Sequence, residues 1–67
     1  MKIKIEEETI RLDHLLKFSG ICTTGGQAKF HIQNGHVSLN GERCTMRGKK
    51  IRRGDIVSMD DKTVEII

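Results

Sequence analysis

The cationic side chains of this sequence are concentrated in one short segment. Six of the twelve lysines and arginines lie between positions 43 and 53, where there is no acidic residue. The segment carries +6, whereas the remaining chain has six bases and nine acids and carries −3. A cluster of this kind is typical of a surface that binds a polyanion. We call residues 43–53 the cationic segment; its charged members are Arg43, Arg47, Lys49, Lys50, Arg52 and Arg53.

A second possible anion-binding feature lies earlier in the chain. Thr24 and Gln27 have the spacing of a capping box, which predicts a helix that begins just after Thr24. The amides of Gly25 and Gly26 would then be free and unobstructed by side chains, which suits an anionic oxygen. A helix cap without a ligand is at least as good an explanation for Thr24 and Gln27. Lys29, one turn further on, is the better candidate because nothing structural requires a cation there.

The sequence gives little support to catalysis or metal binding. Asp13, His14 and Ser19 do not have the spacing of a catalytic triad, so we predict no catalytic residue and no enzyme activity. Cys22 and Cys44 lack the paired spacing of metal ligands, so we predict no metal site and no cofactor. Both cysteines are expected to be buried free thiols.

Aromatic residues are scarce, since Phe18 and Phe30 are the only two. Both fall in predicted helices, where packing in or near the core is the commoner role. Proteins that stack bases on exposed rings need more such residues. We therefore expect that any nucleic acid is bound through its phosphates and its shape.

Length and composition favour one small soluble domain spanning residues 1–67. Sixty-seven residues with 36% apolar and 31% charged side chains support only a modest core. The apolar runs are too short to span a bilayer, and the N-terminus lacks the apolar region of a secretory signal. We expect a cytoplasmic protein, a monomer, with no membrane association.

The first third of the chain predicts a short strand and a helix. Residues 2–5 alternate in polarity and predict an edge strand. Thr9 is predicted to cap a helix through "IRLDHLLKFS" that ends at Gly20. Asp13 and Lys17 have the spacing of an ion pair on that helix. The predicted buried face contains Leu12, Leu15 and Leu16.

After Gly35, which closes the second helix, the pattern changes to a period of two. "HVSLNGERCTM" alternates on both sides of Asn40 and Gly41, the strongest short-range signal for a hairpin. "RRGD" and "DDK" predict two further turns. We therefore predict an α+β fold, with two helices packed on a small bent antiparallel sheet of about four to five short strands.

Three stretches in this order, "IRLDHLL", "TGGQAKFHIQNGHVSLNGE" and "IRRGDIV", resemble a known family. It is the RNA-binding domain typified by the fourth protein of the small ribosomal subunit, which contains the αL RNA-binding motif. The resemblance covers about residues 10–59, and its Gly-Gly version is similar to the stand-alone YaaA/YbcJ-like branch. One departure is Gly25, where most relatives have an arginine. The matching residues are Arg11, Leu12, Asp13, Ala28, Gly35, Val37, Leu39, Asn40, Gly41, Gly54 and Asp55.

The resemblance implies an L-shaped pair of helices against a small sheet, with structured RNA along the concave face between helix and hairpin. We also expect association with a ribosome or ribonucleoprotein. The predicted RNA-binding residues are Arg11, Thr24, Gln27, Lys29, Arg43, Arg47, Lys49, Lys50, Arg52 and Arg53. An alternative is an interaction adaptor that docks its basic rim on an acidic protein of the translation or replication machinery.

Overall fold

The computed structural model describes all 67 residues, which form two helices and seven short strands. Five strands form one sheet in the order β1-β7-β6-β3-β4, and β2 pairs with β5 in a separate two-stranded sheet. The α+β class predicted from the sequence is confirmed. In chain order the elements are β1 (Lys2–Ile3), β2 (Thr9–Arg11), α1 (Leu12–Phe18), α2 (Gly25–Gln33), β3 (Val37–Leu39), β4 (Glu42–Arg43), β5 (Lys50–Arg52), β6 (Ile56–Met59) and β7 (Lys62–Ile66).

The larger sheet is mixed, whereas an antiparallel sheet was expected. β3, β4, β6 and β7 pair in antiparallel fashion, but β1 lies parallel to β7 with Lys2 opposite Glu65. Local patterns could not predict this pairing, because it joins the two ends of the chain. β1 does lie at a sheet edge, as its short alternating pattern predicted.

One apolar cluster of thirteen buried residues holds the helices against the sheet. Leu12, Leu15 and Leu16 of α1 are fully buried, as their spacing predicted. Burying a side chain of this size is worth about 1.5–3 kcal/mol. No polar or charged side chain is buried, so every charged side chain is left at least partly exposed. The other ten members of the cluster are Ile5, Cys22, Ala28, Ile32, Val37, Ile51, Val57, Met59, Val64 and Ile66.

The start of α1 differs from the prediction. Thr9 does not cap the helix, because it lies in β2 opposite Arg52 of β5. The helix begins at Leu12, and Arg11 occupies the cap position without a side-chain hydrogen bond to the helix. Backbone pairing with β5 keeps residues 9–11 extended as β2, so the helix can begin only after this strand ends.

The start of α2 is close to the prediction. Thr24 occupies the cap position, and its hydroxyl accepts a hydrogen bond from the Gln27 amide at 3.1 Å. The Gln27 side chain differs from a standard capping box, because its oxygen accepts from the amide (3.0 Å) and hydroxyl (2.8 Å) of Thr23. Gly35 follows the helix with a φ of +76°, which favours glycine and explains why the helix stops there.

The predicted Asn40-Gly41 hairpin turn is confirmed, since both residues have positive φ (53° and 86°) between β3 and β4. The Asn40 side chain also reaches the turn that precedes β6. It donates to Asp55 Oδ1 (3.0 Å) and accepts from the Ile56 amide (2.8 Å). Asp55 in turn accepts from the Arg52 amide at 2.8 Å. Asn40 and Asp55 thus join two turns that are distant in the sequence.

Candidate nucleic-acid interface

The pairing of β2 with β5 brings Arg11 beside the cationic segment. Arg11 is the direct partner of Lys50, although the two are far apart in the chain. The first two amides of α1 then donate to the carbonyls of Lys49 (2.9 Å) and Arg47 (3.1 Å). A helix start needs external acceptors of this kind. The cationic segment is therefore held against α1 through its backbone, and this contact does not occupy its side chains.

No acidic side chain neutralises the cationic segment. The single ion pair in the structure joins Arg11 to Asp13 at 3.0 Å. The predicted pair between Asp13 and Lys17 is wrong, because Arg11 immediately precedes the helix and its guanidinium contacts the same carboxylate. Unneutralised positive charge in one segment favours a polyanion that comes from outside the chain.

The side chains of β5 alternate as predicted. Ile51 is fully buried, while Lys50 and Arg52 are exposed on the opposite face. The buried isoleucine anchors the strand to the core. Its neighbours consequently project two positive charges into solvent next to Arg11.

A concavity of about 510 Å³ connects Arg11 to the start of α2. We call it the central groove. Its cationic members are Arg11 and Lys17, and its acidic member is Asp13, which is already paired with Arg11. Cations from β2 and α1 therefore share a surface with the first residue of α2. The groove is lined by Arg11, Asp13, His14, Lys17, Phe18 and Gly25.

A second concavity, of about 620 Å³, lies beside the first, and we call it the lateral groove. The two grooves share Arg11, His14 and Phe18. The lateral groove adds Lys50 from the cationic segment and Lys4 from the N-terminal segment. It also contains Glu6 and Glu7, which make it less favourable for an anion than the central groove.

The remaining cations of the segment do not all converge on Arg11. Arg43 and Lys49 line a separate concavity of about 480 Å³ beside the β3–β4 hairpin. Arg43 also packs over Gly35, where an added Cβ would lie 3.0 Å from the Arg43 Cδ. The Arg53 guanidinium donates to the carbonyl of Ile5 at 2.7 Å and so serves the fold. The cations of the segment are thus distributed over several surfaces and do not all line one groove.

At the start of α2, two polar side chains are hydrogen-bonded within the chain, and Gly25 has free space around it. The side chains of Thr24 and Gln27 are engaged within the chain, which supports their structural interpretation. Nothing lies within 4 Å of a Cβ added at Gly25, so packing does not require glycine there. Lys29 is exposed and follows Gly25 by four residues, which places both on one side of the helix.

The phenylalanines were expected in or near the core, and this prediction is wrong. Phe18 is 60% exposed and Phe30 is 57% exposed. The buried face of α1 is completed by Leu15 and Leu16, and Phe18 falls outside their stripe. Helical spacing alone could have indicated this, because Ser19 and not Phe18 continues that face. His14 and Lys17 were also missed as groove residues.

The cysteines and histidines form no recognisable reactive site. Cys22 is buried and Cys44 is half-buried, and both are free thiols. Burial raises the pKa of the Cys22 thiol, against a smaller opposing effect of Lys62. No group of three or more potential ligands could hold a metal ion. Neither helix has the length and apolar character needed to cross a membrane.

The family profile for the S4 domain matches residues 3–67. This chain belongs to the S4 domain family. The resemblance predicted from the sequence is confirmed, and the match extends beyond residues 10–59 at both ends.

Two relatives differ in how much of their own length aligns with this chain. The Bacillus subtilis protein named "Probable ribosome maturation protein RlbA" is 34% identical over 58 residues, covering 87% of this chain and 82% of the relative. Small ribosomal subunit protein uS4 of Fusobacterium nucleatum is 34% identical over 59 residues. That alignment covers 85% of this chain but only 30% of uS4.

Two solved structures share the fold of this chain. The solution structure of YbcJ from Escherichia coli, described as revealing an αL motif involved in RNA binding, matches with a TM-score of 0.77 and 30% identity. It covers 98% of this chain and 85% of YbcJ. Heat shock protein 15 of Vibrio cholerae, solved as a trimer, matches with a TM-score of 0.72 and 25% identity, covering 82% of this chain and 55% of its own.

Several residues of the S4 pattern have a structural role in this chain. Asn40 and Asp55 link the hairpin turn to the turn before β6. Gly41 and Gly54 have φ values of 86° and 93°, which favour glycine. These four residues shape the turns that flank the cationic segment. Their presence in the sequence is therefore evidence for the fold more than for the ligand that the fold binds.

Proposed function

We propose that this chain is a non-catalytic RNA-binding protein that contacts structured RNA mainly through backbone phosphates. One observation carries the proposal: β2–β5 pairing sets Arg11 opposite Lys50 and joins two cationic parts of the chain next to the central groove. Membership of the S4 domain family supports it, as does the likeness to YbcJ, whose αL motif is described as involved in RNA binding.

The phosphate track would begin at the central groove and continue onto the cationic segment. Arg11 and Lys50 would contact phosphates where the two grooves meet, and Lys29 would extend the track along α2. Lys49 and Arg43 would contact a part of the RNA that reaches the hairpin. Phosphate contacts fix the position of the protein on RNA but carry no sequence information. The remaining proposed contacts are Thr24, Gln27, Arg47, Arg52 and Arg53.

We further propose association with a ribosome or ribonucleoprotein in the cytoplasm, as a monomer. The similarity to RlbA, named as a probable ribosome maturation protein, and to ribosomal uS4 supports this setting. Sedimentation of tagged protein with ribosomal particles, followed by sequencing of cross-linked RNA, identifies the particle and the ligand together.

The salt dependence of RNA binding tests the proposal. If five or six phosphates are neutralised, log K falls with log salt at a slope of about −4 to −5. Raising salt from about 50 to 200 mM would then weaken binding about 10²- to 10³-fold. Fluorescence anisotropy with a structured RNA at four or more salt concentrations measures the slope. A slope near zero overturns the proposal.

Charge-matched variants locate the contact. Changing Lys49 and Lys50 to Gln is expected to weaken binding of different RNA sequences by a similar factor, and to reduce the salt slope by about 1–2. The control changes Lys2 and Lys62 to Gln, which removes the same charge from residues that line neither groove. Equal loss in both double variants would mean that only net charge matters.

Gly25→Arg offers a gain-of-function test. Position 25 lines the central groove and has open space for a side chain, and an arginine is typical of the family at this position. We expect tighter RNA binding and a steeper salt slope.

Retention of a protein partner after nuclease treatment, together with no RNA binding by any variant, would instead support the adaptor hypothesis.

A further inference from the structure

Phe18 occupies an unusual place for an apolar side chain. It is 60% exposed, and it lines both the central and the lateral groove together with Arg11 and His14. These three residues have the spacing i, i+3, i+7, so they form one ridge along the start and length of α1. The ridge borders both grooves, and the phenyl ring shares their lining with the cations Arg11, Lys17 and Lys50.

Packing within the chain does not account for this exposure. The core face of α1 is already filled by Leu12, Leu15 and Leu16, which are fully buried. Phe18 is the last residue of the helix and adds nothing to that cluster. A large ring left in water forgoes most of the transfer free energy that burial would supply. An external partner that covers the ring would recover it.

We propose that the Phe18 ring stacks on an unpaired nucleobase of the RNA, while Arg11 and Lys17 hold the phosphates of that nucleotide. This inference rests on the proposed function and names the RNA class, which is a stem whose loop or bulge presents a base free to stack. Every nucleobase has a π-face, so the contact selects unpaired structure more than sequence.

The charges around Phe18 favour a nucleotide over an apolar peptide. Phe18 is the only hydrophobic residue among the six that line the central groove. Arg11 and Lys17 supply positive charge, and the carboxylate of Asp13 is engaged by Arg11 and by the His14 amide. A ring beside two cations matches a base attached to a phosphate, since stacking and charge attraction then act on one ligand.

Phe30 provides the matched comparison. It has nearly the same exposure but lines none of the three concavities described above. Its ring instead lies edge-on against His31 (5.4 Å between centroids) and His36 (6.1 Å). A substitution at Phe30 therefore removes an exposed phenyl ring from a helix without altering either groove.

The affinity test compares two RNA stems of equal length, one with a single-nucleotide bulge and one fully paired. The wild-type protein is expected to prefer the bulged stem. Phe18→Leu is expected to reduce that preference by about 5- to 150-fold, the range for loss of one stacked base, and Phe30→Leu is expected to leave it unchanged. Both variants keep an apolar side chain at an exposed position, so folding is preserved.

A fluorescence test reports the contact directly. The chain has no tryptophan, so Phe18→Trp and Phe30→Trp each introduce a single fluorophore. The bulged stem is expected to quench Trp fluorescence in Phe18→Trp and not in Phe30→Trp. Equal binding of both stems, or an unchanged preference in Phe18→Leu, overturns base stacking and leaves the proposed function standing. Failure of the wild-type protein to bind either stem in a salt-dependent way overturns both.

Discussion

Replacing Asn40 by alanine is expected to destabilise the protein substantially, although the side chain lies at the surface. Alanine removes the hydrogen bonds to Asp55 and to the amide of Ile56. Each is worth about 1 kcal/mol, or about half of that where water can replace it. Alanine is also strained at the φ of 53°, at a cost of about 1 kcal/mol. Together these effects lower the free energy of unfolding by about 2 kcal/mol.

Asn40→Gly separates the two contributions. Glycine adopts the positive φ without strain, so only the hydrogen bonds are lost, and we expect a decrease of about 1 kcal/mol. Adding Asp55→Ala to Asn40→Gly should cost less than the sum of the single changes, because both remove the same contact.

Urea unfolding followed by far-UV circular dichroism measures these differences. For a domain of this size, a loss of about 2 kcal/mol corresponds to a fall in Tm of about 8–16 °C. The m-value is expected to stay constant, since the surface exposed on unfolding is unchanged. A change of less than about 0.5 kcal/mol for Asn40→Ala, the range of neutral surface substitutions, would refute the structural role assigned to the turn.

The remaining predictions concern single residues. Iodoacetamide should modify the half-buried Cys44 faster than the buried Cys22. Because burial raises the pKa of the Cys22 thiol, the free energy of unfolding should fall as pH rises above the ordinary thiol value of 9.0. A pH series of unfolding curves measures this fall, and Cys22→Ala should remove it. Gly35→Ala should lower the free energy of unfolding by about 1–2 kcal/mol, because alanine is strained at the positive φ and its Cβ would lie 3.0 Å from the Arg43 side chain. Adding Arg43→Ala should recover only the part of the loss that is due to this contact, and thermal unfolding measures both changes. Arg53→Met should cost about 1 kcal/mol of stability through its lost hydrogen bond and change RNA affinity less than the Lys49/Lys50 double variant does, a comparison that requires both assays on the same samples.

The elements predicted correctly from the sequence are those set by neighbouring residues. Thr24 caps α2, and Asn40-Gly41 makes the hairpin turn, because each depends on side chains within a few positions of the backbone that it shapes. The leucine stripe of α1 likewise follows from helical spacing. Thr9 failed as a cap because a partner strand from far along the chain holds it extended.

The candidate site was harder to predict because it is assembled from distant segments. The charge cluster was visible in the sequence, but its contact with Arg11 depends on the pairing of β2 with β5. The uses of Arg53 and Arg43 within the fold depend on Ile5 and Gly35, which no local pattern links to them. The exposure of Phe18 was available from helical spacing and was outweighed by the general tendency of phenylalanine to be buried.

The parallel pairing of β1 with β7 has a consequence for the order of folding. Residues from the two ends of the chain exchange hydrogen bonds, including Glu65 to Met1 (2.8 Å) and Ile67 to Ile3 (2.9 Å). Such contacts close the longest loop that the chain permits, so they form only after the nearer hairpins have limited the search. We expect β1 to join last during refolding, and substitutions there to accelerate unfolding while leaving the folding rate nearly unchanged.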